Sequence, residues 1–443
     1  RAIPYLQDGL KPVQRRILYT LWKNQGKGLL KVSSATGLVL TLHPHGPQSV
    51  EASIVNLAQD YMFSNNYPLL DKKGYFGERM ESQAAAARYI ECKVGKIAEL
   101  LLFDDMAQVE MVPNYDEKSE EPLSLMPKLP LMLLNGAEGI GTGFSSVIPS
   151  FSHEDVIESM ISFVRTGKTK KIKPWVRGYT ASITVDSVGR VVYPMKIEEQ
   201  GGHYYITELP RGYDAQKIYQ YLNRFIEKDY IKDFIDSSVD NDIKIQIVFK
   251  KGQTPPLEEV REKMLAVATQ TPNYTLISER GVKIFDNPED IIQIFTGQRI
   301  NVVRRRYEIW VVDCEKRILQ NNEIIRFIKE KHYGQAEKSN DRKHFVDYLK
   351  GKKFVHADYL ADMAIYRMTK DEVGKREAMV REDTTKLKEY RRVAKSDELV
   401  RDKLVEELGD VGKKLTILMK GRDEERRKLY KTLSKEGKKR RNI

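Results

Sequence analysis

In the stretch Ser82-Gln-Ala-Ala-Ala-Ala-Arg-Tyr-Ile-Glu91, a run of alanines leads straight into Arg88 and Tyr89. Small side chains let another backbone, protein or nucleic acid, come close, and here they set a guanidinium beside a phenol at the edge of that contact. A phenol attacks a phosphodiester once it is deprotonated. Its ordinary pKa of about 10 means that a base or a neighbouring positive charge must assist. The guanidinium can also hold a phosphate through two parallel N–H donors. In a chain with 23 tyrosines such an Arg-Tyr pair is far more often an ordinary core or interface feature, and the local sequence by itself favours that reading.

Other groups fall into patterns with chemical meaning. Lys11, Arg15 and Arg16 stand where a turn-rich entry (Pro4, Asp8-Gly9, Lys11-Pro12) hands over to the helical spacing Val13, Ile17, Leu18, Leu21. Basic side chains at a helix start can hold phosphate or simply face water. His43-Pro-His45-Gly46 pairs two imidazoles, but no third ligand is near, so a phosphate or sugar contact is favoured over zinc. The glycine-rich run from Gly136 to Gly143 is a candidate phosphate cradle for a nucleotide-binding enzyme, although no Lys-Ser or Lys-Thr follows it and no βαβ pattern frames it. Asp240 and Asp242 can hold a metal or, more simply, shape a turn at a strand entry.

These groups need elements to position them, and the composition allows for several domains. The chain has 443 residues, 41% of them hydrophobic, enough for about three domain-sized units with real cores. Lys plus Arg number 75 against 63 Asp plus Glu, a formal +12 that favours a polyanionic partner such as nucleic acid. Cys92 and Cys314 match no zinc spacing, which points to a reducing compartment and no structural metal. No apolar run approaches membrane-spanning length and no signal-peptide pattern opens the chain. It begins at Arg1 rather than a methionine, from which an upstream segment is expected.

Helical patterns at 32–42 and 49–62 around the histidine joint suit a helix-turn-helix or winged-helix module within residues 1–150. Residues 151–286 read as an α+β domain, with strands at 181–185, 203–207 and 243–249 and helices at 153–165 and 214–228. Its basic loop, Lys168, Lys170, Lys171 and Lys173, can meet phosphate or water. A long helix over 287–335 carries Ile300, Val303, Tyr307, Trp310, Cys314 and Ile318 at coiled-coil spacing, and Met379, Leu387, Tyr390 and Ala394 mark a return helix over 379–412. A small helical knot fills 336–378. The tail, 413–443, ends in Lys438-Lys-Arg-Arg441 and is expected to be solvated, with nonspecific nucleic-acid contact as its functional alternative.

Taken in order, Arg1-Ala-Ile-Pro, Asp8-Gly-Leu-Lys-Pro-Val-Gln-Arg-Arg16, His43-Pro-His-Gly46, Gly74-Tyr-Phe-Gly77 and Ala84 to Tyr89 resemble the breakage-and-reunion core of type IIA DNA topoisomerases. That family includes the gyrase and topoisomerase IV A subunits, the C-terminal half of the eukaryotic enzyme and the T-even-type phage medium subunit. The resemblance implies a multidomain α+β chain: a winged-helix active-site domain, a tower, and an antiparallel coiled coil tipped by a dimer gate. It implies that Tyr89 forms the covalent phosphotyrosine bond, that Arg88 steadies the scissile phosphate, and that His45 and Arg16 stand at the reaction centre. Arg1, Lys11, Arg15 and His43, with the tower's Lys170 and Lys171, are implied to hold DNA. Ile148, before Pro149, is similar to the isoleucine that family members wedge between base pairs.

The resemblance further implies transient double-strand breaks through a 5′-phosphotyrosine link and passage of a second duplex, by relaxation or decatenation rather than gyrase-type supercoiling. The chain would act as a homodimer, joined through the active-site domain and the exit gate. No metal site is expected on this chain. Mg²⁺ would be held mainly by a partner's acidic domain, and ATP by a partner chain, an ATPase and metal-binding B-type subunit. The expected compartment is the cytoplasm of a bacterium or infected host. Where bacterial members commonly carry a serine and an acidic residue that dock quinolones, this chain has Gln48 and Ala52, so weak quinolone sensitivity is expected. The alternative is a DNA-binding structural protein of the same fold without chemistry.

Overall fold

The computed structural model describes residues 2–441, with side chains described to residue 430, and Arg1 therefore lies outside the described residues. The chain forms two compact units, one of residues 1–299 and 405–443 and the other of residues 300–404.

The first unit opens with three helices, α1 (Pro12–Lys23), α2 (Val32–Val39) and α3 (Pro47–Ala58). Proline begins α1 and α3, where its missing N–H costs nothing, and the Gln14 side chain accepts the Lys11 N–H to close the first turn of α1. The inward stripe of α1, Ile17, Leu18 and Leu21, is buried as the spacing predicts. These helices pack with three short antiparallel strands, β1 (Leu30–Lys31), β2 (Leu70–Lys73) and β3 (Glu91–Val94). β3 lies in the middle, with Cys92 opposite both Leu30 and Lys72. Tyr89 thus stands two residues before a central strand.

The glycine-rich run forms a β-hairpin, Ala137–Gly141 paired with Phe144–Ile148. At Gly136 the backbone has φ +71 and a Cβ would come within 2.7 Å of the Ile148 carbonyl oxygen, so only glycine fits. Because the run is strand rather than a loop feeding a helix N-terminus, it lacks the geometry of a nucleotide cradle.

Residues 151–286 mix helices and sheets. The helix His153–Thr166 is capped by Ser152 and stops at left-handed Gly167. A four-stranded sheet runs in the order Lys196–Gln200, His203–Glu208, Ile245–Val248, Asp233–Asp236. The helices Ala215–Glu227 and Leu257–Met264 supply Ile218, Leu222 and Val260 to the core that also buries Ile206 and Ile245 of the sheet. Of the strand expected over 181–185 only Thr184–Val185 pairs. Asp240 sits in a turn and is ion-paired to Arg426, as the simpler reading of Asp240 and Asp242 anticipates.

In the second unit, residues 300–329 of the long helix Pro288–Lys329 run antiparallel to the helix Lys370–Lys395, as Arg317 to Asp383 and Lys329 to Glu377 show. Tyr307 and Trp310 pack on Tyr390. At the tip, Phe327, Phe345, Leu349, Phe354 and Leu360 form a compact apolar core, while Val355, Ile365 and Tyr366 face outward.

The tail departs from expectation. Residues 397–441 are one helix, and within the first unit Leu408, Val411, Leu415 and Met419 are buried along one face. Arg422 pairs with Asp71, Arg426 with Asp60 and Asp240, and Asp423 with Arg177. Apolar residues at three- and four-residue spacing, rather than the basic charge, decide this segment. The side chains of Lys438 to Arg441 lie outside the described residues. No helix among the described residues is long and apolar enough to cross a membrane.

Candidate functional site

Tyr89 sits at the end of a loop, residues 74–90, that is fastened by backbone bonds. The Ala85 N–H donates to the Tyr75 carbonyl at 3.0 Å, and the first N–H groups of α2 reach the loop's end, Val32 to the Ile90 carbonyl at 3.0 Å and Ser33 to that of Ala87 at 3.3 Å. Gln59, buried at the end of α3, donates from Nε2 to the carbonyls of Phe76 at 2.9 Å and Ser82 at 3.2 Å. Gly77 makes that close approach possible, since with φ +89 its Cβ would meet the Ser82 oxygen at 2.5 Å. Ile90, 1% exposed, is the anchor beneath.

On this mount the phenol is left free. Tyr89 is 65% exposed, and its hydroxyl makes no hydrogen bond among the described residues. The Arg88 guanidinium lies 4.6 Å from the ring centroid, the cation–π arrangement that places a positive charge beside the aromatic face. Glu91 pairs with Lys31 at 2.8 Å and more loosely with Lys73 at 3.7 Å, and the Lys31 hydrogen bond holds its carboxyl below the usual range. The cation placed against the phenol ring is thus Arg88, while the neighbouring Glu91 is taken up by lysines.

The histidines form a second cluster. His43 is buried and His45 exposed, with ring centroids 5.0 Å apart, edge to face. Arg16 Nη1 lies 3.0 Å from His43 Nδ1, while its Nε and Nη2 engage the Glu121 carboxylate at 2.5 and 2.7 Å. Glu121 stands in the strand Glu120–Pro122, and nothing in its spacing singles it out in the sequence. Its partner hairpin is pinned by Asn114, whose Nδ2 donates to the Thr41 carbonyl at 3.0 Å.

Two of the expected ligands of DNA, Arg15 and Lys11, are engaged within the fold. Arg15 is not a surface cation: it is buried, paired to Asp8 at 2.6 Å and stacked on the Tyr5 ring. Asp8 also accepts the N–H groups of Leu10 and Leu125, each at 3.0 Å, so the pair staples the entry segment to residue 125. Lys11 donates to the Glu138 carbonyl at 2.7 Å, and burial pushes its ammonium pKa down. Lys170 pairs with Glu158 at 2.5 Å and Lys171 is exposed, both on the loop after the helix His153–Thr166 and outside the Tyr89 loop.

Ile148 requires a correction. It is 1% exposed at the foot of the hairpin, whereas Ile140, near the tip of the other strand, is 88% exposed. A wedge must reach solvent before it can reach DNA; Ile148, the residue expected there, is core, and the exposed isoleucine of this hairpin is Ile140.

The surroundings of Tyr89 do not suit a divalent cation. The one carboxylate close in sequence, Glu91, is occupied by two lysines, and no group of three His, Cys, Asp or Glu residues placed to hold a metal occurs among the described residues.

Residues 1–409 match the family described as the DNA gyrase/topoisomerase IV A subunit. The chain is 33% identical over 345 residues to the mitochondrial DNA topoisomerase 2 of Dictyostelium discoideum, covering 74% of this chain and 26% of that protein. It is 28% identical over 453 residues to the DNA gyrase A protein of Chlamydia trachomatis, covering 93% and 53%. Its fold superposes with a TM-score of 0.83 and 25% identity on the DNA-binding, cleavage and re-ligation domain of Plasmodium falciparum topoisomerase II, covering 96% of this chain and 63% of that one. The chain spans about a quarter of the eukaryotic relative and about half of the gyrase protein.

Proposed function

Because the chain belongs to the family of DNA gyrase and topoisomerase IV A subunits, we propose that it is the DNA-cleaving and rejoining part of a type IIA topoisomerase, with Tyr89 as its nucleophile. One observation carries the reading: the phenol that follows the alanine run is exposed, unpartnered and flanked by a guanidinium, on a loop otherwise held rigidly. The Tyr89 oxygen attacks phosphorus, the O3′–P bond breaks as the Oη–P bond forms, and the phenolic proton leaves to a base or water while the 3′ oxygen takes one up. The product is a 5′-phosphotyrosine link. Reversal restores both strands without outside energy, because the ester bond is conserved. Arg88 offsets charge on the phosphoryl oxygens, and His45 is the exposed imidazole within the second cluster.

In this reading α1 to α3 with β1 to β3 make a winged-helix module, residues 151–286 the tower, and the second unit a coiled coil whose outward Val355, Ile365 and Tyr366 meet a second copy. Ile140 wedges a base step and bends the duplex. When bound, Mg²⁺ supplies charge stabilisation, with its ligands and the ATPase on a partner chain. Two copies cut one strand each in the cytoplasm, relaxing or decatenating DNA.

The test is covalent trapping. With a gyrase-B-type partner, Mg²⁺ and duplex DNA labelled at its 3′ ends, wild type yields a labelled denaturant-resistant adduct and Tyr89→Phe none. An adduct that survives Tyr89→Phe moves the nucleophile elsewhere; none from wild type favours a DNA-binding protein without chemistry.

A further inference from the structure

Arginine has no acceptor and stays protonated, so at the 3.0 Å contact between Arg16 Nη1 and His43 Nδ1 the imidazole nitrogen must accept. His43 is then neutral with its proton on Nε2. A proton on Nδ1 would set two donors against each other beside a full positive charge. Arg16 is able to do this because Glu121 occupies the other side of its fork through Nε and Nη2, and all three groups are shielded, with Arg16 and Glu121 side chains only 17% and 12% exposed. His45, the exposed ring, lies edge to face with His43, the centroids 5.0 Å apart.

We propose that Glu121 and Arg16 are positioning residues that lock His43 as the Nε2–H tautomer and so fix the attitude of His45 toward DNA. The role in cleavage rests on the function proposed above; the tautomer does not. A plain salt bridge between Arg16 and Glu121 would leave the histidine indifferent.

The experiment uses the full chain labelled with ¹⁵N-histidine, observed well above the ordinary imidazole pKa of about 6.5. Long-range ¹H–¹⁵N correlation, with His43→Asn to assign the signals, should show a bare nitrogen at Nδ1 and a protonated one at Nε2. Glu121→Gln should turn this into a tautomer mixture, and so should Arg16→Lys, which keeps the charge and loses the fork. Each is a readout for the other should one variant fold poorly. With partner and DNA, Glu121→Gln should slow adduct formation by about ten- to a hundredfold with DNA affinity unchanged, and Glu121→Asp should recover part of the loss. A proton on Nδ1 in wild type, or tautomer and rate both unmoved in the two variants, overturns the proposal. A locked tautomer with no adduct from wild type overturns only the cleavage reading.

Discussion

The Tyr89 loop and the first turns of α1 hold the same kinds of residue, aromatic and basic, and use them in opposite ways. In the loop the fastening is done by backbone groups and Gln59, which leaves Arg88 and the phenol facing outward. On α1 the cations are spent internally: Lys11 on the Glu138 carbonyl, Arg15 on Asp8, Arg16 on Glu121. Chemistry is available where the fold has found other means of support. A basic residue next to a motif is as often a strut as a ligand.

Changing one residue from each side tests the contrast most sharply. Tyr89→Phe should abolish the covalent adduct while leaving stability within about 0.5 kcal/mol, as for an exposed side chain. Arg15→Met should do the reverse. It strands the buried Asp8 carboxylate and should cost about 3–5 kcal/mol in urea unfolding, with DNA affinity of the folded fraction preserved. An Arg15→Met chain of wild-type stability that binds DNA weakly would return Arg15 to the surface role.

The hairpin repeats the contrast within one element. Ile148→Ala should lower stability by about 2–5 kcal/mol through the cavity it leaves. Ile140→Ala should leave stability alone and reduce duplex bending, read by energy transfer between dyes at the DNA ends. Bending lost with Ile148→Ala alone would reverse the assignment.

A smaller effect lies in the acid range. Burial of Asp60 pushes its carboxyl pKa up, but Lys72, Arg426 and Arg422 outweigh it and hold the group below its ordinary value. The unfolded chain then binds the proton more readily, so this stabilisation is complete above the unfolded pKa of about 3.9 and is lost as pH falls through the lower folded value. Asp60→Asn should flatten that acid limb; an unchanged limb would show that other carboxylates govern it. The smallest effect is expected at exposed Lys171, where Lys171→Ala should reduce the salt slope of DNA binding by about one if the loop after the helix His153–Thr166 touches a phosphate, and not at all if it is solvated.

Much of this was legible in the residues because helical and strand periodicity are local properties. The stripe of Ile17, Leu18 and Leu21, the strand at 203–208 and the long helix with its return all follow from spacing. The Tyr89 loop was legible as a motif. What escaped is non-local. Glu121 lies 105 residues from Arg16, and Asp8 reaches Leu125 across 117, distances over which no pattern signals a partner. Ile140 and Ile148 differ only in their place on the hairpin, which the register decides. The last helix departs from a solvated tail over 413–443 because Leu415 and Met419 are buried amid basic residues, and because the carboxylates its arginines meet, Asp60, Asp71 and Asp240, lie far upstream.

The placement of Tyr89 just before β3 has a mechanical side. A DNA end bonded to that phenol would pull on the chain through Ile90 and into a strand bonded to a neighbour on each flank. A pull along such a strand loads both ladders at once, so their hydrogen bonds resist together rather than parting one after another. The cut end would be moored to a strand paired on both flanks, and tension in a severed duplex would load that sheet before it could carry the end away.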